Sequence, residues 1–252
     1  MATTVFLIRH GKTVGWKEKR YKGQSDVPLA DEGIGQVEHA AWFVRRYLTE
    51  IAGCAATGGL SLYDTRTVPT PAVVESDKEA STEDASKNVP TIETRATQAN
   101  LYLDRIYCSD LSRAVKTAEI LGRHFGMAPV PLSELRERHF GRWEGMSFDE
   151  IREAYPGEFA GWAKDPFNFS PVGGESTADV HERGMAILNK LLKVHKDEKI
   201  AIVAHGGINR VVLCDVIGAP LRNLFRLEQD FACVNVIEFH ENFPVVKVLN
   251  YT

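Results

Sequence analysis

The residues best suited to chemistry in this 252-residue chain are two arginines and two histidines, each at the end of a predicted element. They are Arg9 with His10, Arg113, and His205. Arginine makes bidentate contacts with phosphate groups, and a neutral imidazole is a competent nucleophile. Phosphoryl transfer depends mainly on positioning and charge stabilisation, which such cations can supply. Because no Asp cluster stands at metal-ligand spacing, these residues predict a metal-free phosphoryl site.

A departing alkoxide also needs a proton donor, and the segment 134–144 supplies candidates. Its carboxyl groups are interspersed with aromatic rings: Glu134, Glu137 and Glu144 with Phe140 and Trp143. A carboxyl group beside aromatic rings is partly desolvated, which raises its pKa and suits it to hold a proton near neutral pH. Arginines near His10 have the opposite effect on the imidazole, lowering its pKa and keeping it unprotonated.

Two short apolar runs would position the histidines. Val5 to Ile8 is followed by Arg9 and His10, and 199–204 is followed by His205. Wholly apolar runs of this length predict strands buried on both faces. In open α/β sheets ligands bind beyond the carboxyl ends of the strands, so a parallel sheet would bring both imidazoles to one edge. The sequence therefore predicts an anion pocket at that edge.

Arg113 is predicted to lie in the first turn of a helix. A strand predicted at 104–108 precedes that helix, and Asp110 or Ser112 is the expected cap. A cation in a first turn opposes the helix dipole, whereas an anion bound at the same helix end would account for it. The polar segment 14–31, rich in Lys and Arg, is expected to line part of the pocket mouth.

The remaining pattern predicts four further helices and a closing pair of strands. The helices are expected from Asp31 (as N-cap) to about residue 50, and over 147–155, 177–195 and 209–218. The strands are expected over 234–239 and 245–249, and 165–174 is expected to be a loop. Residues 54–90 have the composition of a mobile insertion, and 91–103 is expected to regain some helix.

Composition excludes several classes of protein. A net charge of -4 argues against nucleic-acid binding, and no apolar run approaches the roughly 18 residues that cross a membrane. The four cysteines are scattered without a C-x-x-C pair, so neither a zinc site nor a disulfide framework is expected. No signal peptide is recognisable at the N-terminus, and we expect a cytoplasmic protein.

Four motifs, in this order, resemble the histidine phosphatase superfamily with its phosphoglycerate mutase-like fold. They are Arg9-His10-Gly11 with Thr13, Ser109-x-x-x-Arg113, Glu137-Arg-His-Phe-Gly141 and Ala204-His205-Gly206. The resemblance covers residues 3–50 and 102–250 and implies an α/β three-layer sandwich, with a mostly parallel central sheet flanked by helices. It also implies one domain over 1–252, carrying the insertion at about 54–90.

The resemblance assigns roles to the site residues. It implies that His10 is the phosphorylated nucleophile, that Glu137 is the proton donor, and that Arg9, Arg113 and His205 hold the phosphoryl oxygens. The residues expected to bind substrate are Gly11, Thr13, Gly23 and Gly206. No metal and no cofactor are expected.

Within the superfamily the chain resembles phosphatases more than mutases. Mutases usually carry a basic pair some two dozen residues after the acid, whereas the stretch 155–165 here has one Lys and no Arg. The segments 140–145, 171–176 and 233–239 are similar to those of phosphatases, and most of all to α-ribazole phosphatase-like proteins. Lys12 departs from the pattern, because relatives often have an acidic or amide residue there.

We therefore expect a metal-independent phosphomonoesterase acting on a small phosphate ester, with α-ribazole 5′-phosphate as a candidate. The alternatives are a cofactor-dependent phosphoglycerate mutase and a non-catalytic protein that binds phosphorylated ligands. A metallohydrolase built on His10, His139 and His205 would lack the expected carboxylate ligands. The expected partner is a small-molecule ester, with no nucleic acid and no membrane, and the sequence leaves a homodimer open.

Overall fold

A computed structural model describes residues 2–57 and 102–252, with side chains over 2–50 and 102–252. Contacts divide the chain into two compact units, residues 1–45 with 103–252, and residues 46–102. The second unit is described only along the end of one helix and at Tyr102. Most of the predicted insertion at 54–90 and the helix predicted over 91–103 lie outside the described residues, and the single-domain organisation stays a prediction.

The first unit is built on a mixed six-stranded sheet. Its strands are β1 (Thr3–Arg9), β2 (Arg105–Ser109), β3 (Val130–Leu132), β4 (Lys199–Ala204), β5 (Val234–Phe239) and β6 (Pro244–Tyr251). The order across the sheet is β3-β2-β4-β1-β5-β6. The first four strands in this order run parallel to one another, and β5 and β6 form an antiparallel edge.

Six α-helices accompany the sheet in the described part of the chain. They are α1 (Asp31–Thr57), α2 (Ser112–Phe125), α3 (Phe148–Ala154), α4 (Pro156–Lys164), α5 (Thr177–Val194) and α6 (Gly206–Val216). Short 3-10 turns lie at Trp16–Glu18, Ser133–Leu135, Gly141–Trp143 and Leu221–Arg226. None of these helices is long and apolar enough to cross a membrane, as far as the described residues go.

The side chains of β1 are buried on both faces of the sheet, as expected for a sheet covered by helices on both sides. Val5 and Leu7 pack in a core with residues of α5 and α6, such as Ile187 and Ile208. Phe6 and Ile8 point to the opposite face and are equally buried. On that side β2 packs against α2, since Ile106 lies beside Gly122. The predicted α/β architecture with a mostly parallel sheet between helices is confirmed.

The pairing of β1 with β4 brings the two histidines together. The strands are adjacent and parallel, and Arg9 is paired with Ala204. His10 and His205 each follow the last residue of their strand, so both leave the sheet at the same edge. This confirms the prediction that both imidazoles lie at one edge of the sheet.

Several local predictions need correction. The cap of α2 is neither Asp110 nor Ser112, because Asp110 pairs with Arg136 and the N–H of Ser112 is bound by the side chain of Asp26. Asp31 lies inside the first turn of α1 and not at its cap. β3 and α4 were not predicted from the sequence. α1 extends beyond its predicted end to Thr57, and α6 begins at residue 206 instead of the predicted 209. The other predicted elements agree with the structure to within about two residues, except that β6 is longer than predicted. They are the loop at 165–174, the helices at 147–155 and 177–195, and the closing strands.

Candidate active site

A pocket of about 400 Å³ opens at the edge where β1 and β4 end. Its wall includes seven of the nine residues that the sequence singled out: Arg9, His10, Thr13, Gly23, Arg113, Glu137 and Gly206. His205 lies directly behind this wall, with its ring centroid 5.1 Å from that of His10. Gly11 is also off the wall, because its N–H donates to Thr117 and its Cα passes close to α1.

His10 is buried and held in one tautomer. Its Nδ1 lies 2.7 Å from the carbonyl oxygen of Gly11, which can only accept, so Nδ1 carries the proton and Nε2 keeps a free lone pair. Burial, followed by the charges of Arg9 and Arg113, lowers the pKa of His10 well below its usual value. The imidazole is therefore neutral and nucleophilic at physiological pH.

His205 is fully buried at the N-terminal end of α6. Neither ring nitrogen has a hydrogen-bond partner among the described residues, which is uncommon for a buried polar group. Burial lowers its pKa well below the usual value, and the charges of His10, Arg113 and Arg9 act in the same direction. A neutral imidazole with an unmet N–H is suited to donate to a ligand oxygen.

Arg9 is fixed by the loop before β5. Its Nη1 donates to the carbonyl oxygen of Gln229, and its guanidinium carbon lies 3.9 Å from the centroid of the Phe231 ring. Its Nε is buried and has no partner among the described residues. Burial lowers the pKa of Arg9 from its usual value, and the nearby Glu137 carboxylate opposes that shift.

Arg113 is 2% exposed and is held by the segment that the sequence predicted at the pocket mouth. Its Nη1 donates to the carbonyl of Ser25 at 2.8 Å, and its Nη2 to that of Gly23 at 2.6 Å. Burial lowers its pKa from the usual value, and Glu137 is the largest opposing influence. These neutral carbonyl partners leave the positive charge available to an anion.

Of the three candidate carboxyl groups, only Glu137 reaches the pocket wall. Its Oε1 accepts from the N–H of Arg138 and its Oε2 from that of Gly207, both at 2.9 Å. Its backbone carbonyl accepts from Gln24 and Arg183, both at 3.1 Å. The carboxyl group is thus placed by three separate segments of the chain.

Glu144 instead anchors the loop that holds Arg113. Its carboxylate accepts from the N–H of Gln24, the hydroxyl of Ser25 and the N–H of Phe140, at 2.8, 2.6 and 3.2 Å. Gly23 has a positive φ of 48°, and a Cβ there would overlap this carboxylate. Gly23 therefore contributes its backbone carbonyl and a close approach that a larger residue would prevent.

Two residues that complete the site were not predicted from the sequence, Arg183 and Arg210. Arg183 pairs with Glu175 and also donates to the carbonyls of Glu134, Arg136 and Glu137. Arg210 lies on the pocket wall one turn into α6. The contacts of Arg183 with the segment 134–137 join parts of the chain that are distant in sequence, so no local sequence pattern indicates them.

The described residues contain no group of three or more His, Cys, Asp or Glu side chains placed to hold a metal ion. His139 does not line the pocket, and its Nε2 lies 3.8 Å from a carboxylate oxygen of Glu144. Lys12 departs from the family pattern in the first motif. Its ammonium nitrogen lies 4.0 Å from the centroid of the Trp16 ring, and the residue does not line the pocket.

Comparison with known proteins places this arrangement in a family. The model of the histidine phosphatase superfamily (branch 1) matches residues 5–52 and 93–252. Phosphoserine phosphatase 1 of Hydrogenobacter thermophilus is 30% identical over 151 residues, which span 60% of this chain and 72% of that protein. The adenosylcobalamin/alpha-ribazole phosphatase of Salmonella typhimurium is 23% identical over 98% of this chain and 95% of its own length.

The fold is shared with solved structures. That of Bacillus stearothermophilus YhfR superimposes with a TM-score of 0.72 at 24% identity, covering 100% of this chain and 98% of the other. The family match spans both strands that deliver histidines and the segment that carries Glu137. This chain belongs to the histidine phosphatase superfamily, branch 1.

Proposed function

We propose that this protein is a metal-independent phosphomonoesterase that acts through a phosphohistidine intermediate. The observation that supports it most is the state of His10, a buried neutral imidazole with a free Nε2, beside two arginines and across from a carboxyl group. The arginines match the charge of a phosphate monoester. The proposal includes a small-molecule ester as the partner and a cytoplasmic location.

In the first step, Nε2 of His10 attacks phosphorus in line with the leaving oxygen. The P–O bond breaks with its electron pair going to that oxygen, and the carboxyl group of Glu137 supplies the proton. Arg9, Arg113 and His205 bind the non-bridging oxygens, where negative charge accumulates.

In the second step, water attacks the phosphorus of phosphohistidine. Glu137, now ionised, takes the proton from the water, and the P–N bond breaks with its electron pair returning to Nε2. Inorganic phosphate leaves, and both His10 and Glu137 return to their starting states. The same carboxyl group thus serves as acid and then as base.

For the ester itself, α-ribazole 5′-phosphate is the candidate we propose. The name of the Salmonella relative, which is matched over 95% of its length, supports it. The aromatic side chains of Phe140, Trp143 and Trp162 on the pocket wall offer surfaces on which a ring system can pack.

The decisive experiment measures phosphate release in EDTA from a panel of esters by wild type and His10→Asn. We expect turnover by the wild type, with α-ribazole 5′-phosphate among the best substrates, and a loss of at least about 10³-fold in the variant. His240→Asn, which removes an exposed histidine, is the matched control and should keep full activity.

Enzyme quenched in alkaline SDS should also carry phosphate on His10, because the P–N bond of phosphohistidine survives base and is hydrolysed in acid. Substantial turnover by His10→Asn would contradict the mechanism. Phosphoenzyme without net phosphate release would favour the mutase, and isomerisation of phosphoglycerate that depends on a bisphosphate primer would then establish it. Binding of esters without phosphoenzyme or turnover would indicate a non-catalytic protein.

A further inference from the structure

A short loop before β5 holds Arg9, the residue that precedes the proposed nucleophile. The loop spans residues 228–233 and is called the 228–233 loop below. Its Gln229 carbonyl accepts from Nη1 of Arg9, and its Phe231 ring packs against the guanidinium. The loop also binds the backbone at Arg9, whose N–H donates to the carbonyl of Cys233 at 3.1 Å. The orientation of the guanidinium therefore depends on where this loop lies.

The 228–233 loop contains a backbone conformation that does not maintain itself. Ala232 has a positive φ of 59°, in the left-handed region that residues other than glycine rarely adopt. Such a conformation persists only where surrounding contacts hold it in place. One of these contacts is the hydrogen bond from the N–H of Ala232 to the carbonyl of His10 at 3.1 Å. The loop and the nucleophile are thus joined directly.

The side-chain amides of Gln229 and Asn235 form a buried pair at the base of this loop. Nε2 of Gln229 donates to Oδ1 of Asn235 at 2.9 Å, and Nδ2 of Asn235 donates to Oε1 of Gln229 at 2.8 Å. Both residues have an exposed fraction of 0%. Gln229 Nε2 also donates to the carbonyl of Glu228, and its Oε1 accepts from the thiol of Cys233. The amide of Gln229 is therefore bound to the loop itself as well as to β5.

Asn235 connects the amide pair to the strands on both sides of β5. Its Nδ2 donates to the carbonyl of Leu7 in β1 at 3.0 Å, and its Oδ1 accepts from the N–H of Asn250 in β6 at 2.9 Å. With the two bonds to Gln229, the amide makes the four hydrogen bonds that its donors and acceptor lone pairs allow. Unpaired polar groups are unfavourable in the interior, so a shift of the loop would break several bonds together. The pair ties the loop to the sheet in one geometry.

We propose that the amide pair of Gln229 and Asn235 positions the Arg9 guanidinium for the phosphoryl oxygens, so that both are positioning residues for the reaction. The inference rests on the proposed function, in which Arg9 binds the phosphoryl group. Neither Gln229 nor Asn235 lines the pocket, so an effect of either amide on the reaction has to pass through the loop. Misplacing a catalytic group by about 1 Å can lower a rate on the order of 10²-fold.

Gln229→Met tests this, because it removes the side-chain amide and leaves the backbone carbonyl that accepts from Arg9. The measured quantity is the rate of His10 phosphorylation by an alkyl phosphate under single-turnover conditions. We expect Gln229→Met to lower this rate about 10 to 100-fold when Arg9 is present. In an Arg9→Gln background the same substitution should change the rate less than about twofold, because the group that the amide positions is absent.

A purely structural role for the amide pair predicts a different outcome. Gln229→Met would then lower the rate by the same factor in both backgrounds, and this result would overturn the proposal. Thr3→Val is the matched control, since it removes a buried hydrogen bond to the carbonyl of His195 at the opposite end of β1. It should lower the melting temperature and leave the phosphorylation rate unchanged in both backgrounds.

A second variant and a second measurement complete the test. Gln229→Met combined with Asn235→Leu leaves neither amide unpaired, so it replaces the single variant if that one does not fold. It should show the same dependence on Arg9. Equilibrium binding of the alkyl phosphate to His10→Asn does not depend on turnover, and adding Gln229→Met should weaken it about threefold or more. Weakened binding supports the positioning role even if the phosphohistidine mechanism fails, and unchanged affinity overturns it.

Discussion

At the scale of single residues, the position of Glu137 makes a prediction about leaving groups. A nitrophenolate departs without a proton, whereas an alkoxide needs one, so loss of the acid should matter only for the alkyl ester. Glu137→Gln is expected to slow the phosphorylation of His10 by both esters to different extents. The decrease in rate should be about 10² to 10⁴-fold larger with an alkyl phosphate than with nitrophenyl phosphate, as measured by single-turnover rapid quench. Glu134→Gln, which alters an exposed carboxylate off the pocket wall, is the control. Equal slowing of both esters would show that Glu137 is not the acid.

The buried histidines predict a pH dependence of stability. The pKa of His205 lies well below its value near 6.5 in the unfolded chain, mainly because of burial. As pH falls below 6.5 the unfolded state takes up a proton that the folded state does not, so the free energy of unfolding decreases. The contribution of His205 to the free energy of unfolding is therefore fully present above that pH and is lost progressively below it.

Removal of this histidine should weaken the dependence. Between pH 7.5 and 5.5, the fall in unfolding free energy is expected to be smaller in His205→Asn than in wild type by about 1 kcal/mol, from urea titrations at both values. His240→Asn changes an exposed ring and should follow the wild type. An unchanged difference between the two pH values in His205→Asn would contradict the prediction.

The principal site residues were predictable because strand ends and helix starts are visible locally. Arg9, His10 and His205 follow apolar runs, and Arg113 lies in the first turn of a helix. The residues that hold them were not predictable in the same way. Glu144 supports Arg113 through a loop some 120 positions earlier in the chain, and Arg183 supports Glu137 from another helix. Such contacts exist only once the chain is folded.

At the scale of elements, the start of α6 must approach Glu137 closely. A Cβ on Gly207 would overlap Oε1 of that carboxyl group. Gly207→Ala should displace Glu137 and lower kcat/KM by about tenfold or more, as measured by steady-state kinetics with an alkyl phosphate. Activity equal to wild type would mean that the position of the carboxyl group tolerates this displacement.

Gly35→Ala is the matched control for that substitution. Gly35 lies within α1, and a Cβ there would meet nothing within 4 Å. The change should leave kcat/KM unaltered and stabilise the protein by about 0.5 to 1 kcal/mol, because alanine is the better helix former. The pair of variants thus separates a steric effect at the site from the general effect of adding a methyl group.

The elements that the sequence missed are those whose existence depends on distant partners. β3 has only three residues, one of them proline, and it forms by pairing with β2. The start of α2 is capped by Asp26, 86 positions earlier, since the nearer Asp110 is paired with Arg136. Periodicity and local capping rules describe neither case.

At the scale of the whole molecule, the charge of the pocket and the charge of the chain have opposite signs. The chain carries a net charge of -4, yet the pocket wall is strongly cationic. If the local field controls capture of the ester, kcat/KM should fall as KCl rises from 20 to 300 mM, because the Debye length shortens to below about 10 Å. If net charge controlled it, kcat/KM would rise. The salt series measured at low ester concentration distinguishes the two.

The fold class was accessible from the sequence because two buried strands and four ordered motifs constrain the sheet. The strand order could not be predicted in this way, because the sequence carries no signal for which strands become neighbours. In particular, nothing local places β1 between β4 and an antiparallel β5.

That order has a consequence for how the protein is made. Both neighbours of β1 in the sheet come from residues after 198. A nascent chain therefore has to keep the apolar segment of β1, and the His10 that follows it, unpaired until β4 and β5 have been synthesised. Contacts of such long range fold slowly and expose the chain to aggregation in the meantime. The two histidines of the site come together only after β4 and His205 have been synthesised.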